Sequence, residues 1–234
     1  MHHQSVGDFE RALLCALRRV YLAKLTRRLS ALANGLHLFS RWQQNGTLLA
    51  IHDELYVLSR LVEGRSDSPS ELIVDSQSVK TTESGGIRGF DAGKKIKGRK
   101  RHIVVDTLGL MVGLMVHSAD IQDRDGAPDL LKSIRNRWPW LLHVFADGGY
   151  AGEKLKKRLQ KIGKWTIEII KRSDQAKGFE ILPRRWVVER TFAWLGRCRR
   201  LAKDFEKSIA SAEAWISIAH IRLLTRRLAR YGYR

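Results

Sequence analysis

The segment HIVVDTLGLMVGLMV, residues 102–116, contains two apolar runs separated by the turn-forming tripeptide Thr107-Leu108-Gly109. Short β-branched and apolar runs bounded by turn formers predict strands, and so short a connection predicts an antiparallel hairpin. Similar runs occur at residues 72–74, 141–146 and 165–170. Because segments with helical spacing alternate with these runs, the sequence predicts an α/β domain with a mixed sheet flanked by helices.

Helices are predicted around these strands, over residues 9–32, 48–61, 123–138, 152–162, 183–205 and 209–230. The pair Asn34-Gly35 predicts the end of the first helix. The segment GRSDSPS, residues 64–70, is rich in turn formers and predicts a boundary between a small helical N-terminal region (1–63) and the α/β domain (71–234). The order three strands, helix, strand, helix, strand, helix is compatible with a ribonuclease-H-like sheet.

The charge of this 234-residue chain predicts a polyanionic partner. It carries 43 Lys+Arg and 24 Asp+Glu, a formal net charge of +19, which favours nucleic acid first and an anionic membrane second. Two cysteines exclude a disulfide framework. The sequence contains no uncharged apolar stretch of about 20 residues, so it predicts no membrane span. The N-terminal segment lacks the apolar core of a secretory signal. We therefore expect a cytoplasmic protein.

Three acidic residues are candidates for catalysis. Asp75 follows the apolar run 72–74, Asp147 follows another run and precedes Gly148-Gly149, and Glu189 lies in a largely apolar helix. Each has an ordinary alternative: an aspartate often begins a turn, and Glu189 is placed to pair with Arg185 one turn earlier. Carboxylates gathered at strand ends would suit two Mg²⁺ ions in phosphoryl transfer.

Basic residues are concentrated in the tract KKIKGRKR, residues 94–101, which has six cations in eight positions. We predict that this tract contacts phosphates; a solvated connection between strands and a localisation signal are the alternatives. Arginines at 184, 185, 190, 197, 199 and 200 form a second candidate surface.

Other motifs fail on inspection. The segment 89–95 is one residue short of a P-loop and lacks its Ser/Thr. The acidic segment that begins at Asp120 lacks two ligands of a calcium loop, so Asp123 or Asp125 is predicted to cap the following helix. The histidines and cysteines show no zinc spacing.

Four motifs resemble those of bacterial insertion-sequence DDE transposases, specifically the "insertion sequence five" group. They are DSQSVKTT (75–82), GFDAGKKIKGRKRHI (89–103), ADGGYAG (146–152) and PRRWVVERTFAWL (183–195). The resemblance extends from about residue 39 to residue 230, so residues 1–36 are interpreted as a truncated or atypical N-terminal region.

The resemblance implies a ribonuclease-H-like catalytic domain in which Asp75, Asp147 and Glu189 form the metal-binding triad. Arg185 matches the arginine of the family's signature of tyrosine, arginine, glutamate and lysine. Leu182 and Gly196 stand at the tyrosine and lysine positions, and Arg197 is the candidate replacement for the lysine.

The resulting hypothesis is a transposase that cuts and joins DNA strands with two Mg²⁺ ions, for which Mn²⁺ would substitute. The partners would be double-stranded DNA at the element ends and target, bound by a homo-oligomer in the bacterial nucleoid. The predicted DNA-binding residues are Lys94, Lys95, Lys97, Arg99, Lys100, Arg101, Arg190 and Arg197. The alternatives are an inactive remnant that only binds DNA, and a nuclease without strand transfer.

Overall fold

A six-stranded mixed sheet lies at the centre of the computed structural model, which describes residues 32–83, 85–170 and 184–231. The strands are β1 (Glu71–Lys80), β2 (Gly89–Asp91), β3 (Ile96–Asp106), β4 (Met111–Ser118), β5 (His143–Ala146) and β6 (Thr166–Ile169). Their order is β2-β3-β1-β5-β6, with β4 also paired to β3. The predicted hairpin is confirmed, because β3 and β4 are antiparallel.

The sheet combines both strand orientations. Strand β1 is antiparallel to β3 but parallel to β5, and β5 is parallel to β6. The arrangement is a mixed α/β fold, compatible with the ribonuclease-H-like expectation.

Six α-helices are described: α1 (Leu32–Gln44), α2 (Thr47–Val62), α3 (Asp123–Ile134), α4 (Glu153–Gly163), α5 (Arg185–Gly196) and α6 (Ile209–Tyr231). Single 3-10 turns follow at Gly148–Tyr150 and Arg199–Leu201. None of the helices in the described ranges is long and apolar enough to cross a membrane.

Most helix predictions are confirmed, but some boundaries are wrong. Asn34-Gly35 lies inside α1, because a helix tolerates an interior glycine at a cost of about 1 kcal/mol. The helix predicted to reach residue 205 ends at Gly196, after which Cys198 is extended. Helix α3 ends at Ile134 rather than at residue 138. The prediction over residues 9–32 falls almost entirely outside the described residues.

Helices cover both faces of the sheet and create two hydrophobic cores. Side chains alternate along β1, so Leu72 and Val74 enter one core while Ile73 enters the other. The first core includes residues of α2, α3 and α4, the second includes α5, and α6 contributes to both. Leu55 and Tyr56 of α2 are fully buried in the first core, so the helix before the 64–70 turn packs on the sheet.

A buried carboxylate connects α2 to the turn between β3 and β4. Asp106 Oδ2 accepts hydrogen bonds from the Tyr56 hydroxyl at 3.1 Å and from Arg60 Nη1 at 2.5 Å. Its Oδ1 accepts from the backbone amides of Leu108 and Leu110, both at 2.9 Å. The charge is therefore paired and the carboxylate oxygens are bonded, as burial requires.

Candidate active site

The parallel pairing of β1 with β5 brings Asp75 and Asp147 together. Ile73 is in register with Phe145, and each aspartate lies two residues further along its strand direction. Because side chains two residues apart lie on one face of a sheet, both carboxylates lie on the same side. The negative charge of Asp147 contributes to raising the pKa of Asp75, as proximity requires.

Asp75 has an unusual carboxyl group for a strand residue. Burial, as the largest cause, raises its pKa to about 7, and Asp147 adds to this effect. A backbone hydrogen bond from Ser76 N to Asp75 Oδ1, at 2.7 Å, acts in the opposite direction. Lys94 and Arg185 also lower the pKa. Burial therefore outweighs the two nearby cations and favours the protonated form of Asp75.

Asp147 is oriented by the 3-10 turn that follows β5. Its Oδ1 caps the turn by accepting a hydrogen bond from Gly149 N at 2.8 Å. Its Oδ2 lies 3.5 Å from Nη2 of Arg185. The backbone amide of Gly149 therefore fixes the orientation of the carboxylate.

Helix α5 brings the third predicted acid to the same end of the sheet. Val188 and Phe192 pack it against Ile73 and Phe145 in the second core. Glu189 Oε1 lies 3.4 Å from the same Arg185 Nη2 that contacts Asp147. The Glu189 side chain is 55% exposed, whereas Arg185 Nε is buried and has no hydrogen-bond partner among the described residues. Arg185 is thus a bridge between the two acids.

The donor set fits a divalent cation in part. Aspartate oxygens are the hard ligands that Mg²⁺ and Mn²⁺ prefer, and the raised pKa of Asp75 reflects chiefly its burial, with a smaller contribution from the charge of Asp147. However, within the described ranges no three His, Cys, Asp or Glu side chains form a group that could hold a metal. Asp75 and Asp147 supply oxygen ligands of the right chemistry, while Glu189 contacts Arg185 instead.

A fourth carboxylate, Asp123, lies beside the pair. A Cβ added to Gly149 would lie 3.0 Å from Asp147 Oδ1 and 3.5 Å from Asp123 Oδ2, so both acids flank the same backbone. Asp123 Oδ1 accepts from Ser76 Oγ at 2.7 Å and pairs with Lys100 Nζ at 2.9 Å. Burial acts to raise its pKa, but these two bonds hold it below its usual value.

The role predicted for Asp123 was wrong. The N-cap of α3 is Gln122, and neither Asp123 nor Asp125 caps the helix. Asp123 instead contacts Ser76 and Lys100. Because both are distant in sequence, no local sequence pattern predicts these contacts.

Tyr150 lies near three of these carboxylates and contacts a pair of histidines. The Tyr150 hydroxyl is 2.7 Å from His102 Nε2, and His102 Nδ1 is 3.4 Å from His117 Nε2. Burial raises the pKa of Tyr150, and the charges of Asp75, Asp123 and Asp147 raise it further. Tyr150 therefore stays protonated and uncharged beside the acidic site.

The basic tract 94–101 divides into an exposed and a buried half. Lys94, Lys95 and Lys97 are exposed, and Lys94 Nζ donates to the Ser76 carbonyl at 3.1 Å, beside Asp75. These three lysines remain predicted phosphate contacts.

Arg99, Lys100 and Arg101, also predicted to contact DNA, are buried residues that are at most 5% exposed, and their DNA contacts stay predictions. Arg99 Nη1 pairs with Asp204 at 3.2 Å, and Arg101 donates to the carbonyls of Leu201 and Lys203. Helices and the segment after α5 cover both faces of β3, so these cations act in folding.

Arg190 and Arg197, also predicted to bind DNA, differ in exposure. The Arg190 guanidinium lies over the rings of Trp186 and Trp194, 4.4 and 4.6 Å from their centroids, and donates to the Leu108 carbonyl at 3.0 Å. Arg197 is exposed at the end of α5. Leu182, at the signature's tyrosine position, falls outside the described residues.

Residues 66–224 match the protein family described as "Transposase DDE domain". The curated protein "Putative transposase for insertion sequence element IS402" of Burkholderia cepacia is 32% identical over 117 residues, 47% of this chain and 54% of the relative. The chain thus spans about half the length of that relative.

Among solved structures, similarity is weaker. A chain of the cryoEM structure of the simian T-cell lymphotropic virus intasome in complex with PP2A regulatory subunit B56 gamma aligns with a TM-score of 0.40 and 15% identity. The alignment covers 64% of this chain and 49% of that chain. A similarity of this extent supports no argument about function.

Proposed function

The chain belongs to the transposase DDE domain family, and from this we propose that it catalyses metal-dependent cleavage and strand transfer of DNA. The observation that carries the proposal is the register that puts Asp75 beside Asp147, with Arg185 between Asp147 and Glu189. The four motifs of the sequence support assignment to the insertion sequence five group.

Asp75 and Asp147 would hold the divalent cation. Glu189 would become a third ligand by giving up its contact with Arg185. When bound, Mg²⁺ or Mn²⁺ activates an attacking oxygen and stabilises the leaving oxygen in phosphoryl transfer. The contribution of the chain itself is to hold Asp75 within β1 and Asp147 directly after the paired strand β5, since small displacements of catalytic groups are costly.

Arg185 would bind a phosphate of the DNA. Its guanidinium presents a planar set of donors suited to phosphate oxygens, and its side chain is 29% exposed. The phosphate would thereby compete with Asp147 and Glu189 for the same guanidinium. Lys94, at the rim beside Asp75, would position the neighbouring backbone.

The partners would be double-stranded DNA at the element ends and at the target. The net charge of +19 supports this class of partner. We also propose that the protein acts as a homo-oligomer assembled on DNA, in the bacterial cytoplasm at the nucleoid.

The second candidate function is DNA binding without catalysis. It is favoured by the contact between Arg185 and Glu189, which occupies the third acid of the proposed metal site. A nuclease without strand transfer is distinguished from a transposase by mapping whether product strands become joined.

The two functions are separated by incubating the purified chain with Mg²⁺ or Mn²⁺ and a duplex containing the DNA that flanks its gene. We expect metal-dependent cleavage, abolished by Asp75→Asn, Asp147→Asn or Glu189→Gln with little loss of DNA affinity. Asp129→Asn is the matched control, because Asp129 is an exposed acid on α3.

Full cleavage by any of the three variants would contradict its catalytic role. Salt-sensitive DNA binding by the unsubstituted chain without any product would support the non-catalytic function instead.

A further inference from the structure

A cleft of about 580 Å³ lies between α5 and α6, beside the turn that joins β3 to β4. Its walls are rich in arginine. The lining residues with a guanidinium are Arg190, Arg197, Arg222, Arg226, Arg227 and Arg230, and the acid among the lining residues is Glu63.

Helix α6 presents three of these arginines as a regular row. Arg222, Arg226 and Arg230 are four residues apart and exposed, so their positions are separated by about 6 Å along one face of the helix. Leu224 and Leu228 on the opposite side are buried in the first core. The helix is therefore anchored by its apolar face while the arginine row remains accessible.

Positive charge in the cleft is largely uncompensated. Glu63 Oε1 already pairs with Arg227 Nη2 at 2.8 Å and accepts from the Tyr231 hydroxyl at 2.5 Å. Within the described ranges, no carboxylate forms an ion pair with Arg197, Arg222, Arg226 or Arg230. The cleft therefore has a net positive charge that its lining acid, Glu63, does not neutralise.

Arg190 forms a fixed wall of the same cleft. The two indole rings and the Leu108 carbonyl hold its guanidinium, while its Nε is buried without a partner in the described part of the chain. After burial, the positive charge of Arg227 is the next cause that lowers the pKa of Arg190. Cations are therefore crowded together here.

We propose that this cleft binds the phosphate backbone of a duplex DNA segment other than the strand that reacts at Asp75 and Asp147. Arginine forks bind phosphate oxygens bidentately, and a regular row of them matches a repeating polyanion. The DNA partner rests on the proposed function, whereas the basic cleft is independent of it.

Helix α5 would connect the two sites. It directs Arg185 and Glu189 toward the aspartates and Arg190 and Arg197 toward the cleft. Along β1, the cleft end of the sheet begins near Leu72, which pairs with Asp106, three residues or about 10 Å from Asp75. DNA in the cleft would therefore hold the protein in place without occupying the catalytic carboxylates.

The test is fluorescence anisotropy of labelled duplex DNA of arbitrary sequence. The full chain carries Asp75→Asn and no divalent metal is added, so binding is measured without catalysis. We compare this protein with a version that also carries Arg222→Gln, Arg226→Gln and Arg230→Gln. Since each lost phosphate contact lowers the slope of log K against log salt by about 0.9, we expect a slope smaller by about 2.7 and at least about tenfold weaker binding.

The matched control carries Lys156→Gln, Lys157→Gln and Lys161→Gln, which remove the same charge from the exposed face of α4. It should weaken binding by less than about threefold, since it removes no direct phosphate contact. Arg→Lys substitutions at the three cleft positions keep the charge and should retain most of the salt slope. Thermal unfolding checks that all variants fold.

Any one of three results would contradict the proposal that the cleft binds duplex DNA. They are equal weakening by the arginine and lysine variants, unchanged binding by the arginine variant, and competition by polyglutamate as effective as that by duplex DNA. This binding assay contains no divalent metal and does not depend on catalysis. If the cleavage experiment described above gave no product, the proposed function would be wrong, but the binding result would still test the cleft.

Discussion

Two carboxylates of the same sheet, Asp106 and Asp75, have opposite environments. Asp106 is fully buried, and it accepts hydrogen bonds from Tyr56, Arg60 and two backbone amides. Asp75 accepts one backbone hydrogen bond, lies beside a second negative charge and has a pKa of about 7. The two positions are only a few residues apart in strand register.

The difference separates charges that stabilise the fold from charges that are available for chemistry. A buried carboxylate with all its partners lowers the free energy of the folded chain relative to leaving it unpaired. Asp75, the unbalanced carboxylate, is buried beside a second acid and has a raised pKa, and such perturbed groups are typical of functional sites. Four predictions test this distinction, from the largest expected effect to the smallest.

Removing the partner of the balanced carboxylate should have the largest effect. Arg60→Ala leaves Asp106 buried without its cation, so we expect the free energy of unfolding to fall by about 3–5 kcal/mol. Chemical denaturation measures this change. Arg65→Ala, an exposed arginine in the following turn, is the control; equal losses for both would show that Arg60 is not a buried partner.

Acid should destabilise the Asp106 end of the sheet through His220. His220 Nε2 accepts from Met111 N at 3.0 Å, so its Nδ1 carries the proton and donates to His52 Nε2 at 2.9 Å. Burial lowers the pKa of His220 well below its usual value. The unfolded chain therefore binds the proton first, and this contribution to stability is complete above about pH 6.5 and falls below it, by up to about 1.4 kcal/mol per pH unit.

His220→Gln should reduce this pH dependence, because glutamine can accept from Met111 and donate to His52 without titrating, while the lowered pKa values of His102 and His117 preserve part of it. Denaturation midpoints measured from pH 7 downward give the slope. His37→Gln, on the exposed face of α1, should leave the slope unchanged. An undiminished slope in His220→Gln would assign the acid sensitivity elsewhere.

Neutralising the unbalanced carboxylate should change stability in the opposite direction from Arg60→Ala. Asp75→Asn removes a charge that burial and Asp147 disfavour while keeping an oxygen for Ser76 N. We expect a gain on the order of 1 kcal/mol in the free energy of unfolding above pH 7, the usual size for a stabilising substitution. The same substitution at Asp106 should be destabilising; a loss at Asp75 would contradict the distinction.

The smallest effect is expected in the basic tract. Lys97→Gln affects an exposed cation, so the free energy of unfolding should change by less than about 0.5 kcal/mol. The salt slope of DNA binding should fall by about 0.9 if Lys97 contacts one phosphate. Lys100→Gln is the comparison, because its buried pairing with Asp123 predicts a loss of stability instead.

Local sequence patterns predicted most of the sheet, but they missed β2 and the first half of β3, so the structure has four strands before α3 where three were expected. Apolar runs and turn formers predicted the hairpin of β3 and β4 and the strands β1, β5 and β6, because hydrophobic periodicity and turn chemistry act over a few residues. The same strand-end pattern singled out Asp75 and Asp147, and the parallel register lies behind their proximity. Their catalytic roles and that of Glu189 stay predictions.

Long-range contacts were not predictable from those patterns. Arg99 pairs with Asp204 and Lys100 pairs with Asp123, and these partners are distant in sequence. Because the pairs form only in the folded chain, the sequence analysis interpreted the whole basic tract as a DNA-binding surface. The arginine row of α6 was missed for a related reason: its spacing is visible in the sequence, but its cleft requires α5 and the turn at Leu110.

Calorimetric titration of Mn²⁺ into the purified chain and into Asp147→Asn tests the central claim most directly. The account predicts saturable binding by the unsubstituted chain and loss of that binding in Asp147→Asn, while the Asp129→Asn control binds as before. Equal binding by all three proteins would show that the paired aspartates are not the metal site, and the catalytic account would be wrong.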